Sequence, residues 1–172
     1  MKQILETDRL ILRKLTLNDV DRVYQILSDP ITMAFWPKPF DYEGAERWVK
    51  RSIDFYRDLG FGRYAMILKS SGELIGDCGF MRVEVNGIQE NDLGYILDKT
   101  FWNQGFATEA AKGCLQYGLD KLRMERIVAS METKHVASKA VAEKIGLRFE
   151  QEFINTRNRN LLTTLLSIEI AR

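Results

Sequence analysis

One stretch near the middle of the chain constrains the fold more than any other: Trp102-Asn103-Gln104-Gly105-Phe106-Ala107-Thr108-Glu109-Ala110-Ala111. It follows a strand-like run from Leu93 to Leu97 and opens a segment whose small and apolar residues recur at helical spacing. That apolar face comprises Ala107, Ala110, Ala111, Cys114, Leu115, Gly118 and Leu122. The pattern predicts a strand, a tight turn at Gly105 and a long helix that reaches Leu122.

The turn at Gly105 has the properties of an anion-binding site. Glycine lacks a Cβ, so a ligand can approach the backbone closely. The first amides of a helix have no partner within the helix, and the helix dipole adds about half a positive charge there. A phosphate or diphosphate is the usual occupant of such a site. A plain strand-to-helix connection, with Glu109 favoured by the dipole, would have the same pattern.

Length and charge exclude several classes of protein. At 172 residues the chain is expected to form one domain, residues 1–172, with a sizeable core. With 25 basic and 24 acidic residues the net charge is +1, so no nucleic-acid partner is expected. There is neither a signal sequence nor an apolar run of about 20 residues, so no membrane partner is expected. Two cysteines in apolar patterns and a single histidine favour a cytoplasmic protein without a metal site.

The remaining elements follow from periodicity, capping residues and turn residues. A short helix follows Thr16 or Asn18, and a second helix begins after Asp41 and ends near Gly60. The predicted strands are Thr7–Arg13, Tyr64–Lys69, Leu74–Val85, Leu93–Leu97, Ile127–Met131, Phe149–Ile154 and Leu161–Ile170, and a last helix spans His135–Gly146. A strand–helix–strand crossover makes Ile127–Met131 parallel to Leu93–Leu97.

Three segments together resemble motifs of one family. Gly105-x-Ala107 fits an acyl-CoA-binding motif written Gln/Arg-x-x-Gly-x-Gly/Ala, with Trp102 at its first position. The run Glu6-Thr7-Asp8-Arg9-Leu10-Ile11-Leu12-Arg13 is similar to an opening written Glu-Thr-x-Arg-Leu-x-Leu-Arg. The segment from His135 to Leu147 is similar to Asn-x-Ala-Ser-x-x-Val-x-Glu-Lys-x-Gly-Phe, with His135 in place of Asn and Leu147 in place of Phe. The chain therefore resembles the GNAT superfamily of N-acetyltransferases, and within it the Rim-type branch that acetylates ribosomal-protein N-termini.

The resemblance implies a fold and a donor. The expected fold is mixed α/β: a mostly antiparallel twisted sheet with one splayed parallel strand pair and helices on both faces. The cosubstrate would be acetyl-CoA, with its pantetheine arm inserted between the splayed strands like an extra strand. The implied donor contacts are backbone groups of Gln104, Gly105, Phe106, Ala107, Thr108 and Glu109 on the diphosphate, backbone groups of Tyr95, Ile96 and Leu97 on the arm, and His135 and Ser138 beside the arm.

Acetyl transfer to an amine also needs a proton acceptor and a proton donor. Asp92 or Glu90 is a candidate base for the amine, although Asp92 as a solvated charge at the start of a strand fits the sequence equally well. Ser138 is the candidate acid for the departing thiolate, because no tyrosine follows Tyr117. Both Ser138 and His135 have the alternative role of capping a helix. A Ser–His hydrolase is excluded because the Gly-x-Ser-x-Gly turn is absent.

The acceptor site is expected in the apolar, proline-rich segment 31–40, where Phe35 and Trp36 either wall that site or cover the core. The predicted function is acetyl-CoA-dependent transfer of an acetyl group to a primary amine, either a protein N-terminus or a small molecule. The alternative is a non-catalytic module with the same fold that responds to acyl-CoA. The expected assembly is a monomer or a homodimer.

Overall fold

The computed structural model describes residues 2–170, which form a single twisted sheet flanked by helices. In chain order its strands are β1 (Gln3–Glu6), β2 (Leu10–Lys14), β3 (Arg63–Leu68), β4 (Leu74–Val85), β5 (Ile88–Leu97), β6 (Arg126–Glu132), β7 (Arg148–Asn155) and β8 (Leu161–Glu169). The helices are α1 (Val20–Leu27), α2 (Tyr42–Asp58), α3 (Phe106–Asp120) and α4 (Val136–Lys144). Single 3-10 turns at Leu17–Asp19 and Lys99–Phe101 precede α1 and α3.

The sheet has the spatial order β1-β2-β3-β4-β5-β6-β8-β7. Every neighbouring pair is antiparallel except β5 and β6, which are parallel. The parallel pair is joined at one position, Asp92 opposite Val128, whereas β4 and β5 pair continuously along ten positions. The two parallel strands therefore separate beyond Asp92, and the expected splayed strand pair is confirmed.

The alternation of side chains along β3 shows how the sheet serves two cores. Tyr64 and Met66 are fully buried in the cluster that includes the apolar face of α3. Ala65, between them, is buried in the cluster formed with α1 and α2. Successive residues of a strand point to opposite faces, so helices cover both faces of the sheet, as the sequence predicts.

Capping and turn residues set the ends of the helices. Asp41 accepts a hydrogen bond from the Gly44 amide at 2.7 Å and starts α2. Gly60, with φ of 79°, follows the end of that helix in a backbone conformation that favours glycine. The sequence analysis did not foresee β1, because four residues without clear alternation carry little signal. It also placed the start of β5 five residues too late.

Two further observations concern the described residues only. None of their helices is long and apolar enough to cross a membrane, and they contain no group of three acidic, histidine or cysteine side chains able to hold a metal ion. Cys78 of β4 and Cys114 of α3 are free and fully buried.

Candidate active site

The edge of β5 that faces β6 is open beyond Asp92. The Asp98 amide donates to Ile75 O at 2.9 Å, so the backbone of Asp98 points toward β4. Because backbone groups alternate along a strand, Ile96 also points toward β4, whereas Tyr95 and Leu97 point into the gap beside β6. The carbonyl of Leu97 is occupied, since it accepts from Trp102 Nε1 at 2.8 Å. The groups left for a ligand in the gap are therefore both backbone groups of Tyr95 and the amide of Leu97.

This geometry corrects the expectation for Ile96. Its carbonyl lies so close to Gly76 of β4 that a Cβ at Gly76 would clash with it. Ile96 thus hydrogen-bonds within the sheet and is not a backbone partner for a pantetheine arm.

The start of α3 presents free amides to solvent beside that gap. Gly105 precedes the helix with φ of 82°, a left-handed conformation in which other residues are strained. The amides of Phe106, Ala107 and Thr108 belong to the first turn, which has no preceding carbonyls to accept them. The Glu109 amide, in contrast, donates to Gly105 O at 3.0 Å. The amides available to a diphosphate at this helix start are therefore those up to Thr108. The prediction that the Glu109 amide contacts the diphosphate is wrong, because that amide is already bonded within the helix.

The side chain of Glu109 has a different role, which is to hold this turn to the start of β2. Its carboxylate accepts from Thr7 Oγ1 at 2.6 Å, from the Arg9 amide at 2.8 Å and from Arg9 Nε at 2.7 Å. Arg9 Nη1 donates in addition to Gln104 O at 2.9 Å, and its guanidinium lies 4.2 Å from the centre of the Phe106 ring. Arg9 therefore connects both sides of the Gly105 turn.

Asp92 lies where the parallel strands separate and lines the adjoining cleft. Its Oδ1 accepts from the Ser130 amide at 2.8 Å and from Ser130 Oγ at 3.0 Å. Burial of the carboxyl group raises the pKa of Asp92 to about 6, although the Ser130 hydrogen bonds act in the opposite direction. Asp92 is thus a part-buried, hydrogen-bonded acid with a pKa near neutrality, and the interpretation as a solvated charge at the start of a strand is wrong. Glu90 is 6% exposed and is ion-paired with Arg126 at 2.9 Å outside the cleft, so it is not the base.

Ser138 and His135 lie across the gap, at the start of α4. His135 caps that helix, because its Nδ1 accepts from the Ser138 amide at 3.3 Å. The Ser138 hydroxyl lies 3.3 Å from the Tyr95 hydroxyl, which itself donates to Ser138 O at 2.5 Å. Burial raises the pKa of Tyr95, so this phenol stays protonated at neutral pH. The cap is therefore supplied by His135, and the Ser138 hydroxyl is left to pair with Tyr95 across the open edge.

A cleft of about 760 Å³ leads from the surface to Asp92, Tyr95 and Ser138. Phe35 and Trp36 both line it, but they differ in their partners. The Phe35 ring stacks on His135, with centroids 4.0 Å apart. The Trp36 ring instead meets the rings of Phe40 at 6.0 Å and Trp48 at 5.5 Å, both edge-on. Phe35 thus packs at the end of the cleft that holds His135, and Trp36 packs in an aromatic cluster with Phe40 and with Trp48 of α2.

Two residues of the site have roles that the sequence analysis did not assign. The hydroxyl of Tyr95 was missed because the search for a phenol considered only tyrosines late in the chain, whereas this one reaches α4 from β5. Arg9 was noted only as part of a motif, and its contact with α3 joins residues about a hundred positions apart. The sequence signal for the contact between Arg9 and α3 was an arginine in the opening motif together with a glutamate in the Gly105 motif.

Free amides at a helix start, an adjacent open strand edge and a cleft with an acid and two hydroxyl groups define a class of protein: an acyltransferase of the coenzyme A-dependent kind. Residues 9–148 match the family described as Acetyltransferase (GNAT) domain, and the chain belongs to that family.

Relatives agree with this membership. The chain is 33% identical over 153 residues to the uncharacterized N-acetyltransferase p20 of Bacillus licheniformis, which covers 86% of this chain and 84% of the relative. A GNAT-family acetyltransferase of Bacillus anthracis superimposes with a TM-score of 0.80 at 26% identity, covering 96% and 97% of the two chains. The ribosomal L7/L12 alpha-N-protein acetyltransferase RimL, solved with coenzyme A, has a TM-score of 0.81 at 18% identity and 98% coverage of both chains. At that identity the likeness to RimL concerns the fold alone.

Proposed function

We propose that this protein transfers the acetyl group of acetyl-CoA to a primary amine that enters through the 760 Å³ cleft. The observation that carries the proposal is the unpaired edge of β5, which opens at Asp92 and ends beside the free amides of α3. It runs between a part-buried acid and a pair of hydroxyl groups, which are the two kinds of proton carrier that the reaction needs.

The residues at the gap fit coenzyme A. The amides of Phe106, Ala107 and Thr108 suit a diphosphate, and the left-handed Gly105 allows it to approach the backbone. Tyr95 and Leu97 offer backbone groups to an amide-bearing arm laid along the strand edge. Acetyl-CoA supplies the acetyl group as a thioester, from which the thiol leaves.

Asp92 is the residue placed to accept a proton from the incoming ammonium group. An amine must be neutral to attack, and a lysine or N-terminal amine is mostly protonated at neutral pH. With its pKa at about 6, Asp92 is mainly ionised at pH 7. Its Oδ1 is held by Ser130, which fixes the carboxylate toward the cleft.

Ser138 and Tyr95 are placed to return a proton to the departing sulfur. The Ser138 hydroxyl donates to the Tyr95 hydroxyl, 3.3 Å away, and Tyr95 donates to Ser138 O, so whichever hydroxyl turns toward the sulfur would deliver the proton. Because a thiol of pKa about 8.5 is already a fair leaving group, the contribution of this pair is modest. The retained proton carriers make a non-catalytic module the weaker of the two functions. Its support was the missing Asn and the missing late Tyr, but His135 stands at the Asn position of the motif and Tyr95 supplies a phenol beside Ser138.

The acceptor is either a protein N-terminus or a small amine. Two free, buried cysteines accord with a reducing compartment, and we infer a cytoplasmic location.

Two measurements on one preparation test the function. Calorimetry should give binding of coenzyme A. A panel of peptides with free N-termini and of small amines should then release free thiol from acetyl-CoA in proportion to acetylated product detected by mass spectrometry. Binding of coenzyme A without acetylation of any amine above the buffer rate would instead support the non-catalytic module.

A further inference from the structure

The wall of the acceptor cleft carries several charged side chains, and most of them are neutralised by ion pairs. Arg63 pairs with Asp77 at 2.5 Å, Arg47 lies 3.8 Å from Asp41, and Glu132 lies 3.8 Å from Arg159. The charged side chains of the cleft wall that lie outside these pairs are three cations, Lys38, Arg51 and Arg157, and one carboxylate, that of Asp92.

Arg51 and Arg157 are the arginines that remain. Arg51 projects from α2 and packs on the Phe55 ring, 5.2 Å from its centre. Arg157 lies in the turn between β7 and β8 and donates Nη2 to Glu84 O at 2.6 Å, a neutral backbone acceptor. Among residues 2–170 neither arginine forms an ion pair with a carboxylate. Lys38, on the same wall, likewise has no acidic partner among those residues.

The two arginines act on each other and on the centre of the site. Partial burial, and after it the positive charge of Arg157, lower the pKa of Arg51. The charge of Arg157 also acts on Asp92, where it favours the ionised carboxylate. Two like charges held toward one cleft raise the free energy of the empty site, and an anion bound between them would remove that cost.

Arg157 is held in place at the wall of the cleft by its own hydrogen bond and by that of its neighbour. Asn158, the residue after Arg157, donates Nδ2 to Phe35 O at 3.0 Å, which joins the β7–β8 turn to the cleft wall. A planar guanidinium held in this way suits a carboxylate or a phosphate, because it can donate two parallel hydrogen bonds.

We propose that Arg51 and Arg157 form an anion subsite of the acceptor cleft, so that the preferred acceptor is an amine whose own molecule carries a carboxylate or phosphate group. The amine points toward Asp92 and the anionic group toward the mouth. This inference rests on the proposed function, because it names the class of acceptor for the same site.

The test compares acceptors that differ only in charge. The peptide pair is Ser-Asp-Ala-Ala-amide and Ser-Asn-Ala-Ala-amide, and the small-amine pair is γ-aminobutyrate and its amide, each compared at equal concentration of free base. At low salt the wild-type protein should favour the anionic member of at least one pair about tenfold in kcat/KM. That preference should shrink as ionic strength rises, because the Debye length falls to about 8 Å near 0.15 M. Which pair responds shows whether the anion belongs to a peptide or to a small molecule.

Two variants assign the preference to the arginines. Arg51→Gln and Arg157→Gln should each reduce the ratio of kcat/KM values to within about twofold, with the neutral acceptor little affected. Arg57→Gln is the matched control: it removes a positive charge from the same helix, at an exposed side chain paired with Asp54 and Asp58 outside the cleft, and should keep the preference. Equal rates for both members of each pair in the wild type would overturn the inference, as would an equal loss on both members in Arg51→Gln.

Calorimetry separates this inference from the proposed function. Titration of γ-aminobutyrate and its amide into the coenzyme A complex measures the preference whether or not acetyl transfer occurs. Weaker binding of the anion alone in Arg51→Gln supports the subsite even if no acceptor is acetylated. Acetylation at equal rates for the anionic and the neutral acceptors would support the acetyltransferase function and contradict the anion subsite.

Discussion

The donor side and the acceptor side of this site present different kinds of chemical group to a ligand: backbone amides on the donor side and side chains on the acceptor side. At the start of α3 the groups available to a ligand are backbone amides, and side chains such as Arg9 and Glu109 serve to hold them. In the proposed acceptor cleft the candidate catalytic groups are the side chains of Asp92 and Tyr95 from β5 and of Ser138 from α4. A backbone site depends on the path of the chain and tolerates many side chains. A side-chain site can change its substrate through single replacements without altering the fold.

The largest expected effect lies on the acceptor side. Asp92→Asn keeps a side-chain oxygen for the Ser130 amide but cannot accept a proton. We expect kcat/KM to fall about 10²- to 10³-fold at neutral pH. In the wild type the rate should rise with pH through about 6, as Asp92 ionises, and this dependence should disappear in the variant.

Stability should show the opposite dependence on pH, and this separates a catalytic from a structural role. The pKa of Asp92 is raised in the folded protein, so the folded state binds more protons between about 4 and 6. Its contribution to stability is therefore present below pH 4 and is lost as the pH rises to 6. Asp92→Asn should remove that decline when unfolding is followed across this range. His135→Asn is the control, because it retains a helix cap and removes a second titratable side chain that lines the cleft. If the rate profile changed in His135→Asn and persisted in Asp92→Asn, the base would be misassigned.

The next effect concerns the hydroxyl pair. Ser138→Ala should lower kcat about 10- to 100-fold, with the affinity for coenzyme A within about 1 kcal/mol of wild type. Since His135 supplies the helix cap, stability should change little. Tyr95→Phe should lower kcat as well, and the double variant should be no slower than the slower single variant if the two groups form one relay. Additive losses in kcat, measured under conditions in which chemistry limits the rate, would mean that the hydroxyls act separately.

This contrast also explains what could be predicted from the sequence. The Gly105 turn, the small-residue face of α3 and the parallel β5–β6 crossover are local or periodic features, and all were recognised. Whether Ile96 or Tyr95 faces the gap depends on which neighbour β5 pairs with, which its apolar pattern does not encode. The hydrogen bond between Ser138 and Tyr95, and the presence of Arg51 and Arg157 on the wall of one cleft, depend on how distant elements pack, so no spacing in the chain reveals them.

A smaller effect tests the donor side through Arg9, which we infer to be a positioning residue. Arg9→Gln removes the forked contact that joins Glu109 to Gln104 O. The free amides would then be less well fixed, and the Kd for coenzyme A should rise about tenfold, with kcat nearly unchanged at saturation. Arg9→Lys should not restore the affinity, because an ammonium cannot span both partners.

Arg13→Gln is the matched control: it breaks the ion pair with Asp19 at 2.8 Å, away from α3, so stability should fall while the Kd stays the same. Equal Kd values for wild type and Arg9→Gln would show that the Gly105 turn keeps its conformation without the contacts of Arg9.

The smallest effects come from two adjacent aromatic residues of the same loop, and they separate the two alternatives that the sequence left open. Phe35 stacks on His135 and lines the cleft, so Phe35→Ala should raise the acceptor KM several-fold at little cost in stability. Trp36 packs against Phe40 and Trp48, so Trp36→Ala should cost about 2 kcal/mol of unfolding free energy and affect KM less. Equilibrium unfolding and acceptor kinetics on the same preparations distinguish the two patterns. The reverse result, with Phe35 supporting stability and Trp36 controlling KM, would place the acceptor against the α2 side of the cleft and away from His135.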